Sequence, residues 1–225
     1  IIVKKKLITQ MGCQLRFHKC IKKIKKLILE KRIGKIISVK SECGSFLPEW
    51  HPYEDYSKGY AARNDLGGGV VLTCIHEIDY MYWILGDVKE VFSVTGKFSK
   101  LKVSSDDMSA IILKFKNKVI GELHLDYFQR PDFKSCKIRG EKGVIYWDSD
   151  HNEVKIHLTN KKRWKTVLKI EKYERNKMYV DEMNHFLKCV KIRKPSINDI
   201  EEGIRTLEIS LGIKKSSKLK KMIGV

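Results

Sequence analysis

The feature that most constrains the fold is a segment from Val88 to about Ile170 in which apolar and polar residues alternate. The alternation is clearest at two groups of apolar positions: Ile111, Leu113, Phe115 and Val154, Ile156, Leu158. Successive side chains of a strand point to opposite faces, so a period of two predicts strands with one buried face. Turn-forming residues interrupt the pattern at 116–118, 140–143, 150–152 and 160–162. Short turns join antiparallel neighbours, and we therefore expect hairpins.

Helical spacing of apolar residues appears on both sides of this segment. It predicts helices at His18 to Lys31, from Gly69 to Gly86, at Asn176 to Val190, and after Pro195. Ser196 and Asp199 are spaced like a capping box at the start of the last helix, and Ile36 to Phe46 is predicted to be a strand. The expected class is α+β: an open, mostly antiparallel sheet with helices packed on one face.

The chain has 225 residues, enough for one principal domain, and 46 Lys and Arg against 27 Asp and Glu give a net charge of +19. The lysines are spread along the whole chain, which favours a solvated surface over an anion-binding face. Without a recognisable nucleic-acid motif, we expect no nucleic-acid partner. Charged residues interrupt every apolar run well short of the roughly 18 residues that span a bilayer, so no membrane partner is expected either.

The six cysteines contain no Cys-x-x-Cys spacing, and the seven histidines contain no His-x-x-x-His spacing. This pattern supports neither a zinc site nor a disulfide framework, and we assign no metal. We expect reduced thiols in a cytoplasmic protein.

Thr73, His76 and Tyr80 follow one another at three- and four-residue steps, which would place them on one face of a helix. A histidine there could exchange a proton with a substrate hydroxyl near neutral pH, so we single out His76 as a candidate acid or base. The alternative is a hydrogen-bonded structural histidine. The preceding Gly67, Gly68 and Gly69 do not form the G-x-G-x-x-G pattern of dinucleotide sites; they are expected to let a helix start close to another backbone or a ligand.

The segment from Phe46 to Tyr60 is rich in aromatic and polar residues. Its candidate substrate-binding residues are Trp50, His51, Asp55, Tyr56 and Tyr60. Aromatic rings stack on sugar rings and polar groups bind their hydroxyls, but such loops also anchor dimer interfaces, and both interpretations stay open. Arg130, which follows a predicted strand, is either a binder of phosphate or carboxylate or an ordinary surface residue.

Four short motifs occur in a fixed order along the chain: GCQLRFH at 12–18, LPEWHP at 47–52, GGG at 67–69 followed by HEIDY at 76–80, and DYFQRP at 126–131. Together they resemble motifs of the glucose-fructose oxidoreductase/inositol dehydrogenase (Gfo/Idh/MocA) family, over almost the whole chain. The resemblance implies an amino-terminal Rossmann domain that binds NAD or NADP, followed by an α/β domain that binds substrate and mediates oligomerisation.

By this resemblance, residues 1–15 are a remnant of the Rossmann domain, with Leu7 to Cys13 as its last strand. Residues 16–225 form the substrate-binding and oligomerisation domain. Gln14 and Arg16 would then lie near the nicotinamide. The glycine fingerprint and the Glu-Lys-Pro motif of the first domain are absent from the sequence, so we expect no cofactor to be bound by this chain alone.

The resemblance also implies roles in catalysis. His76 matches the family's catalytic histidine, and Thr73 stands where many relatives place an aspartate, so the proton relay would be altered. Tyr80 and Arg130 join the loop residues as expected substrate contacts.

Two hypotheses follow from these predictions. The first is a truncated NAD(P)-dependent oxidoreductase acting on a hydroxyl of a sugar, sugar nucleotide or cyclitol, and forming a homo-oligomer through the sheet. The second is a non-catalytic binding or dimerisation module that works with a separately encoded Rossmann domain.

Overall fold

The computed structural model describes residues 2–225, and its centre is a single nine-stranded sheet. The strands are β1 (Ile36–Gly44), β2 (Val88–Gly96), β3 (Met108–Phe115), β4 (Ile120–Asp126), β5 (Phe133–Gly140), β6 (Gly143–Asp148), β7 (Glu153–Leu158), β8 (Lys165–Lys169) and β9 (Ile223–Gly224). Their order across the sheet is β8-β7-β6-β5-β1-β4-β3-β2-β9. The first strand in the sequence, β1, therefore lies in the middle of the sheet, between β5 and β4.

Hairpins build most of this sheet, as the alternating pattern predicts. Strands β2 to β4 are antiparallel neighbours, and so are β5 to β8. All four predicted turn segments connect consecutive strands. Strand β1 pairs in parallel with β4 and antiparallel with β5. A parallel pair needs a long crossover, and residues 45–87 after β1 supply its first part. The α+β class with an open, mostly antiparallel sheet is confirmed.

The helices are α1 (Ile2–Lys5), α2 (Lys19–Leu29), α3 (Val70–Thr73), α4 (Ile75–Leu85), α5 (Asn176–Ile192) and α6 (Ile200–Leu219). Side chains of α2, α4 and α6 enter the core through fully buried residues such as Ile24, Ile78 and Ile209. Each buried aliphatic side chain contributes about 1.5–3 kcal/mol of transfer free energy. On the opposite face of the sheet, Ile112 and Ile120 are exposed. The helices thus cover one face, as expected.

Leu7 to Cys13 was expected to be a strand, and the structure shows that this prediction is wrong. The segment is irregular and joins no sheet. The Met11 amide instead donates to the Asn198 carbonyl at 2.7 Å, and Asn198 Nδ2 returns a bond to the Met11 carbonyl at 3.0 Å. A strand needs a neighbouring strand to satisfy its backbone, and here the connection between α5 and α6 takes that place.

The helix expected from Gly69 to Gly86 is two helices. Cys74, with φ −90° and ψ 26°, leaves the helical path and separates α3 from α4. The Glu77 amide then bonds the Cys74 carbonyl three residues back. The break lies between Thr73 and His76, so these two residues do not belong to one continuous helix, as the spacing had predicted.

The amino-terminal cap of α6 also differs from the prediction. Asp199, not Ser196, is the capping residue, since its Oδ1 accepts the amides of Glu201 and Glu202 at 3.1 and 3.2 Å. Ser196 Oγ accepts the Asn198 amide and stabilises the turn before the helix.

All six cysteines are buried and free. Of the helices in residues 2–225, none has the length and apolar content to cross a membrane.

Candidate functional site

Two glycines let α3 begin against a neighbouring backbone. A Cβ at Gly68 would lie 2.0 Å from the Tyr60 carbonyl oxygen, and Gly69 has φ +107°, with its Cα facing the Asp106 carboxylate. Asp106 in turn accepts the Val71 amide at 3.2 Å. The expectation that these glycines permit a close backbone approach is confirmed. Their effect is to fix where Thr73 and His76 sit above the sheet.

Three buried polar atoms on this part of the chain have no hydrogen-bond partner within residues 2–225. They are Thr73 Oγ1, His76 Nδ1 and Glu77 Oε2. Burying an unpaired polar group costs about 1–3 kcal/mol, so such a cluster is a place where a ligand could gain affinity. The structure thus places the two predicted catalytic residues, Thr73 and His76, on either side of the Cys74 break.

The Glu77 side chain is fully buried, and its Oε1 accepts a hydrogen bond from Lys134 Nζ at 2.8 Å. Lys134 lies on β5, opposite Cys43 of β1, and its side chain is 37% exposed. Burial opposes the charged ammonium, but the Glu77 carboxylate outweighs it and holds the pKa of Lys134 above its usual range. The result is a permanent cation beside the His76 region.

Burial and, after it, the positive charge of Lys134 lower the pKa of His76. The carboxylates of Glu77 and Asp79 oppose this shift more weakly. The imidazole is therefore neutral near pH 7, with one nitrogen free to accept a proton. The arrangement can take a proton from a hydroxyl while the nearby ammonium stabilises the developing oxyanion.

Tyr80 was expected to contact substrate, and the structure contradicts this. Its side chain is fully buried, and its hydroxyl lies 2.5 Å from Ser41 Oγ on β1. Tyr80 lies one turn after His76 in α4, but its ring extends from the helix to β1 and is enclosed in the core. Burial raises the pKa of its phenol well above the usual value. Tyr80 is a core residue.

Arg16 was expected to lie near a nicotinamide, but it is also fully buried. Its Nε and Nη2 bind the two carboxylate oxygens of Asp79, both at 2.8 Å, and its Nη1 binds Glu202 and the Ile197 carbonyl. The guanidinium is therefore occupied by contacts that tie α4 to the start of α6. Gln14, in the same turn, is half-buried, and its expected role stays a prediction.

The aromatic loop divides into anchored and exposed residues. Trp50 donates from Nε1 to Ser45 Oγ at 2.7 Å, and its ring packs edge-on against Tyr127 at 5.5 Å. The Tyr56 hydroxyl accepts the Lys102 amide at 3.0 Å. These two rings hold the loop in place. Tyr127 also neighbours Thr73, so the anchored part of the loop lies near the candidate site.

The remaining loop residues face solvent. His51, Asp55 and Tyr60 are exposed, and Asp55 accepts the amide and hydroxyl of Ser57. Arg130 stacks on the Phe46 ring and forms an exposed ion pair with Glu49 at 3.4 Å. Their expected contacts with substrate stay predictions.

Glu77 and Lys134 were not among the residues expected from the sequence. Glu77 could have been predicted as a site residue, because it directly follows His76 in the sequence. Lys134 lies 57 residues away, and only the pairing of β5 with β1 brings it to this place.

A family model described as "oxidoreductase family, C-terminal alpha/beta domain" matches residues 25–225. Myo-inositol 2-dehydrogenase from Thermotoga maritima is 28% identical over 231 residues; the match covers 95% of this chain, which spans only 65% of that relative's length.

Solved structures share the fold. Levoglucosan dehydrogenase in complex with NADH superposes with a TM-score of 0.88 at 16% identity, over 98% of this chain and 66% of that one. An oxidoreductase domain protein from Kribbella flavida gives a TM-score of 0.87 at 14% identity, over 99% of this chain and 67% of that one.

Proposed function

Because the chain belongs to the Gfo/Idh/MocA oxidoreductase family through its C-terminal α/β domain, we propose that it is the substrate-binding part of an NAD(P)-dependent oxidoreductase. Its substrate is a sugar, sugar nucleotide or cyclitol that is oxidised at a hydroxyl. The observation that carries the proposal is the unpartnered, buried Nδ1 of His76 beside the Glu77–Lys134 ion pair. Residues 1–15 would belong to the preceding Rossmann domain and residues 16–225 to the substrate domain.

In this proposal His76 takes the hydroxyl proton of the substrate. Its neutral imidazole can accept that proton, and Lys134 supplies positive charge near the oxygen as it becomes negative. The fully buried Glu77 keeps Lys134 charged and in place. Thr73 Oγ1, which has no partner in the described chain, can donate a hydrogen bond to the same oxygen.

In this proposal the family's cofactor, NAD or NADP, is held by the preceding Rossmann domain. Arg16 is occupied by Asp79 and Glu202, and the triple glycine packs against the Tyr60 backbone. We therefore assign to this chain only the binding of substrate and the handling of its proton.

The open face of the sheet supports a homo-oligomer. Val94, Ile112 and Ile120 are exposed there on three neighbouring strands, and apolar side chains grouped on one surface favour association. The buried free cysteines support a reducing compartment such as the cytoplasm.

The test is an NMR titration of the chain labelled with ¹⁵N-histidine. Myo-inositol, levoglucosan, glucose and glucuronate are added separately, and at least one is expected to shift the His76 ring resonances in a saturable way. His157, on the exposed side of β7 against Trp164, is the internal control and stays unchanged. If none of the four compounds shifts His76, the proposal is wrong.

A further inference from the structure

A concave site lies between the start of α2 and residues 170–181. It is a cleft of about 210 Å³. Phe17, Tyr173 and Met178 form its apolar part, and His18 lines it as well. An apolar wall with one polar group suits the face of a small ring that also carries hydroxyls.

His18 presents a fixed hydrogen-bond donor at this cleft. Its side chain is only 3% exposed, and its Nδ1 accepts the Cys20 amide at 3.2 Å. A neutral imidazole that accepts at Nδ1 carries its proton on Nε2. Within residues 2–225, Nε2 makes no hydrogen bond. The rings of Trp147 and Tyr173, each 5.3 Å away, hold the imidazole in this orientation.

Burial, followed by the charge of Lys134, lowers the pKa of His18 to about 4. The ring is therefore neutral near pH 7, and its Nε2–H can donate to a ligand oxygen. The charge of Lys134 also lowers the pKa of His76, so one ammonium group acts on both imidazoles.

The rim of the cleft carries more positive than negative charge. Lys177 pairs with Asp181, and Lys172 Nζ lies 3.8 Å from Glu174 Oε1. Lys19, also on the rim, forms no ion pair within the described chain. One uncompensated ammonium group beside a neutral donor favours a ligand with a negative charge.

From these contacts we propose that the cleft binds the ring of an acidic sugar. The ring packs on Phe17 and Tyr173, His18 Nε2 donates to a ring hydroxyl, and Lys19 faces the carboxylate. Identifying this sugar with the enzyme's substrate rests on the proposed function, but its binding in the cleft does not.

The experiment compares D-glucuronate with D-glucose on the 225-residue chain labelled with ¹⁵N-histidine. Glucuronate is expected to shift the His18 Nε2 resonance in a saturable way, with glucose binding about threefold more weakly because it lacks the charge. Saturable binding of glucuronate at His18 supports the proposal. The absence of such a shift, or equal affinities for the two sugars, overturns it.

Two variants localise the contacts. Lys19→Gln is expected to weaken glucuronate about threefold and to leave glucose unchanged, and Tyr173→Ala to weaken both sugars about tenfold. Lys23→Gln is the matched control, since it removes the same charge one turn further along the same helix, from a residue that does not line the cleft. Equal effects of Lys19→Gln and Lys23→Gln would show that only overall charge matters, and would overturn the assignment.

The outcome is separable from that of the proposed function. If another sugar shifts the His76 resonances but glucuronate does not shift those of His18, only the proposal of an acidic-sugar cleft is refuted. If glucuronate shifts the His18 resonances but none of the four compounds shifts those of His76, only the dehydrogenase proposal is refuted.

Discussion

The Lys134 ammonium lies 2.8 Å from the carboxylate of Glu77, the residue that directly follows His76 in the chain. Glu77 is fully buried and Lys134 is partly exposed, so the pair links the interior of the sheet to its surface. The positive charge of Lys134 is one physical cause of the lowered pKa of His76.

Lys134→Met is expected to raise the pKa of His76. The substitution removes a cation whose effect on the imidazole exceeds the opposing effect of Glu77. An NMR pH titration of the His76 ring measures the change. Lys137→Met, on the same strand but three positions along and therefore on the other face, is the control. An unchanged His76 pKa in Lys134→Met would contradict the proposed electrostatic coupling.

His18 should make stability fall in acid. Its pKa is about 4 in the folded chain and about 6.5 when unfolded, so the unfolded state binds the extra proton. This stability is complete above pH 6.5 and is lost as pH falls toward 4, by about 3 kcal/mol. His18→Asn keeps a side-chain acceptor for the Cys20 amide but cannot titrate. Urea unfolding of both proteins at several pH values should show a flatter dependence in the variant, and parallel curves would refute the role of His18.

Arg16→Met should destabilise the fold by about 3–5 kcal/mol, because it leaves the buried Asp79 carboxylate without its bidentate partner. The matched change Gln14→Ala, in the same turn but half-buried, should cost less than about 1 kcal/mol. Urea midpoints at constant m-value measure both. Equal midpoints for the two variants would mean that Arg16 is not a structural residue.

Tyr80→Phe should cost about 1 kcal/mol, the usual contribution of one hydrogen bond, because Ser41 Oγ keeps its bond to the Ser135 carbonyl. It should leave the sugar-induced shifts of His76 unchanged. If those shifts disappear while stability is retained, Tyr80 contacts the ligand after all.

Local patterns predicted the elements of this fold well. The alternation after Val88 predicted the hairpins, and the helical spacing predicted α2, α5 and α6, because both patterns depend on which side of one element is buried. The pairing of β1 with β4 and β5 was beyond such reasoning, since it joins segments far apart in the chain.

The site was less predictable because polar residue types do not reveal their partners. Arg16 and Tyr80 have side chains suited to ligands, yet Asp79 and Ser41, from remote parts of the sequence, bind them in the interior. No sequence pattern around Lys134 indicated a role for it, and its contact with Glu77 is known only from the structure, where β5 places the two residues together.

The most direct test of His76 as the group that takes the substrate's proton is the pH dependence of turnover. The chain would be joined to the part of the Thermotoga maritima relative that it does not match and supplied with the sugar that shifts His76. His76→Gln is expected to lower kcat at least about 100-fold, with His157→Gln as the control. A His76→Gln enzyme that keeps its turnover at every pH would contradict the mechanism.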